Sequence, residues 1–235
     1  MAQKKGQRGR TDAMDVYAFV RGEILACRIR PATRLKIHEL CAQHGVSNGA
    51  VREALSRLAS EGLVLFEPQK GYSAMPVSKD ELLDLTEARV EIETLCIRHA
   101  IERRTVDWET AIVAAFYRLS KIPERDPKDN SQLNEQWSAA HSEFHQSLVA
   151  ACPVSHLLRI RRQLYETSER YRRFSVPLRH GDRDVEKEHL EIKEAVLAGN
   201  VDLTARLMRE HLYRTTQILI DAGRLDEHPG ELKPA

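Results

Sequence analysis

Two histidines, His141 and His145, stand four residues apart. On a helix that spacing places one imidazole above the other on a single face, a workable two-ligand geometry for a divalent ion. The same spacing also serves two histidines that only pack or form hydrogen bonds, so the pair by itself leaves both readings open. Arg52 offers different chemistry. Its planar guanidinium bonds two acceptors at once, which suits a guanine edge or a phosphate; the ordinary alternative is an ion pair with a nearby glutamate on a solvated helix. Arg89 and Glu93 are spaced for a surface ion pair,. Arg170, Arg172 and Arg173, beside Tyr165 and Tyr171, read first as a solvated helix face,. Cys27, Cys41, Cys96 and Cys152 are far apart and form no C-x-x-C pair, so they are expected to be small buried residues and neither a disulfide framework nor a thiolate metal site,.

The chain that must position these groups has 235 residues, 42% of them hydrophobic, enough for one large or two ordinary cores,. Its net charge of +1 conceals an asymmetry. Up to Pro76 there are 12 Lys and Arg against 7 acids, and beyond it 24 against 28. A cationic front attracts a phosphate backbone, whereas a mildly acidic rear has no reason to. No apolar core follows the basic opening, and no run of about 18 apolar residues occurs, so neither secretion nor a membrane span is expected. The protein is expected to be soluble and cytoplasmic.

Hydrophobic periodicity predicts a helix over 12–27, carrying Val16, Phe19, Val20, Ile24 and Leu25,. A short helix over 36–44 follows, closed by Gly45, and then a third helix that Ser47 caps and Gly62 ends,. Leu63 to Phe66 and Tyr72 to Met75, around Glu67-Pro68-Gln69-Lys70-Gly71, predict two strands and a turn,. Ser78-Lys79-Asp80-Glu81 fits a capping box and marks the start of a second domain,. Helices are expected over 79–104, 108–121, 131–151, 155–174, 184–198 and 202–222. The fold class is therefore mainly α: a winged helix-turn-helix of three helices plus a two-stranded wing, followed by an all-α six-helix bundle. The divisions are a flexible basic arm (1–11), the winged domain (12–76), the helical domain (77–222) and a frayed tail (223–235).

The stretch from Leu40 to Val64 contains Gly45-Val46-Ser47, then Val51-Arg52-Glu53-Ala54-Leu55, then Glu61-Gly62-Leu63-Val64. It closely resembles the GntR family of winged-helix regulators. The resemblance implies that Ser47, Asn48, Gly49, Arg52 and the wing residues Lys70 and Gly71 meet operator DNA. The chain departs from the family at Asn48-Gly49-Ala50, where Arg, Thr or Ser, and Pro are usual. A base-reading cation is missing there, so the operator of a relative cannot be borrowed.

The remainder is similar to the FCD subgroup of the FadR-like branch, through Glu87-Ala88-Arg89 with Glu93, Glu143-Phe144-His145, His189, and Ala205 to His211. That resemblance implies a metal held inside the bundle by His141, His145, His189 and His211, and an effector carboxylate held by Arg89 and His141. The family usually has Asp where this chain has His141. Imidazole in place of a hard oxygen donor shifts the expected metal from manganese or magnesium towards zinc or nickel. Taken together, the expected protein is a homodimer on double-stranded operator DNA, a repressor released by a small organic acid. The alternative is a metal-dependent enzyme using the histidine cluster, for which Glu143 is the only nearby acid in sequence.

Overall fold

The computed structural model describes residues 2–26, 28–130, 132–178, 183–223 and 225, with side chains described from Asp12 onward except at position 177. The chain divides into two compact units, residues 1–78 and 79–223.

The first unit opens with helix α1 (Ala2–Leu25). Helical backbone thus extends through the stretch expected to be a flexible arm, where no proline interrupts it although Gly6 and Gly9 are poor helix formers,. Helix α2 (Ile37–His44) ends where Gly45 adopts φ +65°, a left-handed conformation that a glycine takes without Cβ strain,. Helix α3 (Asn48–Ser60) begins at the Ser47 cap, whose hydroxyl accepts from the Ala50 amide. Val51, Ala54, Leu55 and Leu58 of α3 are buried against Val16, Val20 and Ile24 of α1 in one core cluster.

The wing is β2 (Val64–Glu67) paired antiparallel with β3 (Gly71–Ala74). At its tip Pro68 and the positive-φ Gln69 make the turn, closed by Lys70 N–H donating to Glu67 C=O at 3.2 Å. A third strand, β1 (Arg34–Leu35), pairs with β3, so the two-stranded wing expected from sequence is a three-stranded sheet in the order β1-β3-β2. Two residues are too short to show an alternating pattern, which is why β1 was not legible.

The second unit contains α4 (Lys79–Ile101), α5 (Val106–Ser120), α6 (Glu135–Leu148), α7 (Ser155–Leu178), α8 (Val185–Leu197) and α9 (Val201–Asp221). All six expected helices are present. Thr105, Asn134, Asp184 and Asn200 cap α5, α6, α8 and α9 through their side chains. Helix α7 overruns the stop expected ahead of position 177. The carbonyls of a last turn need outside donors in any case, and Arg125 supplies one to Val176 C=O at 2.9 Å,. Trp108, Ile112, Phe144, Leu148, Ile192 and Met208 share one apolar core, and the Trp108 indole donates to Ser147 C=O at 2.8 Å. Cys96 and Cys152 are buried in this core, and burial pushes the Cys96 thiol up to about 12. Cys41 is only partly buried, because its Sγ reaches Asn48 Oδ1 at the helix-turn-helix elbow. Cys27 and the expected frayed tail, apart from Gly223 and Leu225, lie outside the described residues.

Replacing Ser47 by Ala removes the side-chain acceptor that caps α3 at the Ala50 amide. We expect a loss of about 1 kcal/mol, measured as a lower urea midpoint with unchanged m-value.

Candidate DNA interface and histidine centre

In the first unit, a groove of about 360 Å³ is bounded by β1, the start of α2, the first turns of α3 and the wing. Asn48, Arg52, Lys70 and Gly71 converge on it, together with Arg34, Lys36 and His38, which sequence reasoning did not single out. The signal for those three was only local basic character in a loop, and it is the β1-β3 pairing, with Arg34 opposite Ser73, that ties Arg34 to the wing. Ser47 and Gly49 are exposed beside the groove but do not line it. The Ser47 oxygen caps α3, while its O–H remains free to donate. Lys36 and Lys70 pair with Glu39 and Glu67 at 2.8 and 3.0 Å. Among the described residues no hydrogen bond or ion pair engages the side chain of Arg52 or Arg34, so the pairing of Arg52 with a neighbouring glutamate is not formed.

In the second unit, His141 and His145 of α6, His189 of α8 and His211 of α9 meet in the interior. All four are buried, and each offers a ring nitrogen within 4.8 Å of the others. His145 Nε2 and His189 Nε2 are 3.4 Å apart. Two nitrogens bound to one tetrahedral zinc would stand about 3.3 Å apart, so this pair already has the required separation.

The protonation states also suit ligation. Burial, reinforced by neighbouring positive groups, holds His141, His145 and His189 well below the ordinary imidazole range. Burial likewise lowers His211, although the Glu188 carboxylate opposes it. Neutral imidazoles keep a lone pair available. Burial alone would raise the Glu188 carboxyl, but hydrogen bonds from Arg183 and His211 outweigh it and keep Glu188 ionised. Glu188 accepts from His211 Nδ1 at 2.7 Å and from Arg183 Nε and Nη2, both at 2.8 Å. That bond fixes the proton of His211 on Nδ1 and leaves Nε2 as the donor atom for a metal, the usual carboxylate–histidine arrangement. His141 Nδ1 lies 3.1 Å from the Tyr165 hydroxyl, and its ring stacks on Trp137 at 4.6 Å between centroids. These four residues therefore fit a divalent ion.

Arg89 does pair with Glu93 as its spacing suggests, with Nε and Nη2 each 3.5 Å from Glu93 Oε1, but the pair is buried and not at the surface. Arg89 Nη1 donates to Ser168 at 2.9 Å, and its guanidinium lies 4.8 Å over the Tyr165 ring. Glu93 is itself held by Arg161 at 2.7 Å. The arginines of α7 are not a solvated face either. Arg170 is only 2% exposed and reaches Glu81, Arg172 is bound to Glu169 and Ser138, and Arg173 forks onto Glu135. Arg170 thus reaches α4, whereas Arg172 and Arg173 reach α6.

A small cavity of about 40 Å³ lies beside the cluster, lined by Arg89, His141, Ser168, Arg172, His211 and Thr216 among others. Arg89 Nε and Arg172 Nη1 are buried without a hydrogen-bond acceptor among the described residues. A wider cleft of about 520 Å³ reaches His189 and Trp137 from the ends of α5 and α8. Glu143, the acid nearest the cluster in sequence, points away from it and pairs with Arg118 at 2.8 Å. The residues missed from sequence are Glu188, Arg183, Trp137, Arg161 and Tyr165 in its role at His141. Only Glu188, next to His189, carried any local signal, and there it resembles an ordinary first-turn acid.

A winged helix with a cationic groove, on a chain whose other unit is an all-helical bundle with a buried polar centre, defines a DNA-binding regulator. Residues 13–73 match the model described as bacterial regulatory proteins, gntR family, and residues 84–214 match the FCD domain. The chain belongs to the GntR family of transcription regulators, in the group that carries an FCD domain. It is 32% identical over 209 residues to the uncharacterised HTH-type transcriptional regulator BphR of Paraburkholderia xenovorans (strain LB400), covering 89% of this chain and 85% of that one. It is 31% identical over 214 residues to the HTH-type transcriptional repressor GlaR of Escherichia coli (strain K12), covering 89% and 96%. In fold it is similar to E. coli McbR/YncC, with a TM-score of 0.72 at 19% identity over 91% of this chain and 99% of that one. A putative GntR regulator from Rhodococcus sp. RHA1 gives a TM-score of 0.69 at 20% identity over 89% and 98%. The matched domains and relatives are regulators of transcription and not enzymes, and among the described residues no helix is long and apolar enough to cross a membrane.

Proposed function

We propose that this protein is a homodimeric repressor whose hold on an inverted-repeat operator is released by a small carboxylate bound beside the histidine cluster. The observation that carries the DNA assignment is the convergence of Asn48, Arg52, Lys70 and Gly71 on one groove, with Arg52 unpaired among the described residues. Ser47 and Gly49 complete the face at the start of α3, close enough to a groove wall for backbone and hydroxyl contacts. A single recognition helix makes few base contacts, whereas two linked copies multiply affinity and specificity.

For the effector, Arg172 Nη1, buried without a hydrogen-bond acceptor among the described residues on a residue that lines the cavity with His141 and His211, favours a buried anion, and the size of the cavity favours a compact one,. His141, His145, His189 and His211 would hold a divalent ion, with four nitrogen donors favouring zinc or nickel. A bound ion would supply a Lewis-acid anchor for the carboxylate, since four neutral imidazoles leave its charge uncompensated. Arg89 orients the anion, with His141 beside it as one of the ligands of the ion. Release follows if the carboxylate binds the operator-free arrangement more tightly than the operator-bound one, by roughly 1–3 kcal/mol. The repressor named among the relatives agrees with this direction.

Three measurements test the reading. Arg52→Ala is expected to abolish preference for the operator over random duplex while the oligomeric state is kept; wild-type operator affinity in a gel-shift titration would remove Arg52 from base reading. His145→Ala is expected to lose the metal found by elemental analysis at about one ion per chain in the wild type, and an unchanged metal content would sink the ligand set. Arg89→Lys, which keeps charge but loses the fork, is expected to raise at least tenfold the concentration of two- to six-carbon carboxylates needed for a thermal shift. An unaltered dose response would place the effector elsewhere.

A further inference from the structure

Cys41 closes the elbow between α2 and α3 from two sides. Its carbonyl accepts from the Gly45 amide and from Val46 N–H, which fixes its backbone at the end of α2. Its thiol reaches the first residue of α3 and donates to Asn48 Oδ1 at 3.0 Å. That contact has a preferred sense. A thiol hydrogen suits a carboxamide oxygen, whereas an amide N–H would find in the sulfur only a weak acceptor.

The helix end makes no competing demand on Asn48, because Ser47 caps α3 through the Ala50 amide. Asn48 is exposed and lines the cationic groove with Arg52, one turn further along α3,. No hydrogen bond engages its Nδ2 among the described residues. The free end of this side chain is therefore the one that donates, while its oxygen is already held from behind by α2.

Base reading depends on that difference. Asparagine recognises adenine by a fork, in which its oxygen accepts from N6 while its nitrogen donates to N7. An oxygen engaged by Cys41 must give up the thiol to complete that fork. Guanine presents N7 and O6, both acceptors, in the major groove. An outward amide nitrogen meets two acceptors there and no opposing donor.

We propose that Cys41 is a positioning residue for base reading: by holding Asn48 Oδ1 it turns the carboxamide nitrogen towards the major groove and sets a preference for guanine over adenine at one base pair of the operator. The inference rests on the reading of operator DNA by α3 and names the group that decides one of its preferences. Arg52 supplies an internal control, since its side chain has no hydrogen bond to Cys41 or to Asn48 among the described residues.

Selection from randomised duplex DNA, with full-length protein in reducing buffer and the bound pools sequenced, tests this. Asn48→Ala is expected to lose base preference at one position, which marks the base pair that residue 48 reads. There the wild type is expected to favour guanine over adenine by at least about fivefold, the lower end of what a good side-chain contact to a base contributes. Cys41→Ala, which keeps a small residue at the elbow, is expected to erase or reverse that ratio. Cys41→Ser, whose hydroxyl also donates, is expected to keep it, and neither variant is expected to change the position that Arg52→Ala affects. A wild type that favours adenine, a Cys41→Ala variant with the wild-type ratio, an equal loss in both cysteine variants, or an Asn48→Ala variant with every preference intact overturns the role of Cys41 and leaves operator binding standing. A wild type that selects no sequence over random duplex overturns the operator reading and this inference with it. Should Cys41→Ala fail to fold, the wild-type ratio at the position marked by Asn48→Ala decides alone.

Discussion

Four imidazoles share the centre of one helical bundle, and they can do so only without charge. Protonating any of them would place a cation in a medium of low dielectric beside Arg89, Arg161 and Arg172, and the cost would exceed what the nearby acids could return. Burial therefore sets the protonation state of His141, His145, His189 and His211 before any ligand arrives. Much else in the second unit follows from that condition. Glu188 must remain ionised to fix the tautomer of His211, and it does so because Arg183 and Arg214 hold it from outside the cluster. Tyr165 and Trp137 hold the His141 ring from its edge and its face.

A second polar layer surrounds the first. Glu93 is fully buried between Arg161 and Arg89, and Arg161 also donates to His145 C=O at 2.9 Å, tying α4 and α7 to the helix that carries two of the histidines. Buried ion pairs add little to stability by themselves, but removing one partner is costly. The layer thus restricts which arrangement of helices is allowed. Among the described residues it also leaves Arg172 Nη1, on a residue that lines the cavity beside the cluster, buried without a hydrogen-bond acceptor. An unmet donor of that kind is a standing preference for an anion.

The first unit solves a different problem. Its groove needs cations that are not neutralised by their own neighbours. Arg57, at the far end of α3, is absorbed by Glu61 and stacks on Tyr17. Arg52, five residues earlier on an exposed face, has no such side-chain partner among the described residues. β1 adds Arg34, whose side chain likewise has no partner among the described residues, whereas Lys70 of the wing is paired with Glu67.

The sequence by itself determined most of the architecture. Helical periodicity located the elements because each helix has one buried face, and Ser47 and Gly45 mark helix ends by local hydrogen bonding and backbone freedom alone. Position on a helix also placed Arg52, since an exposed side chain on a recognition helix depends on little beyond that helix. Spacing could pair His141 with His145, but nothing local joins them to His189 and His211, which lie 44 and 22 residues apart from their partners along the chain; the family resemblance supplied that link. Only the tertiary structure decided the fate of the charged residues. Whether Arg89, Arg170 or Arg172 faces water depends on which helix packs over it, and a run of arginines reads the same in either case. The short β1 strand, the tautomer of His211 and the inward arginines all arise from contacts between distant segments, to which local propensity is blind.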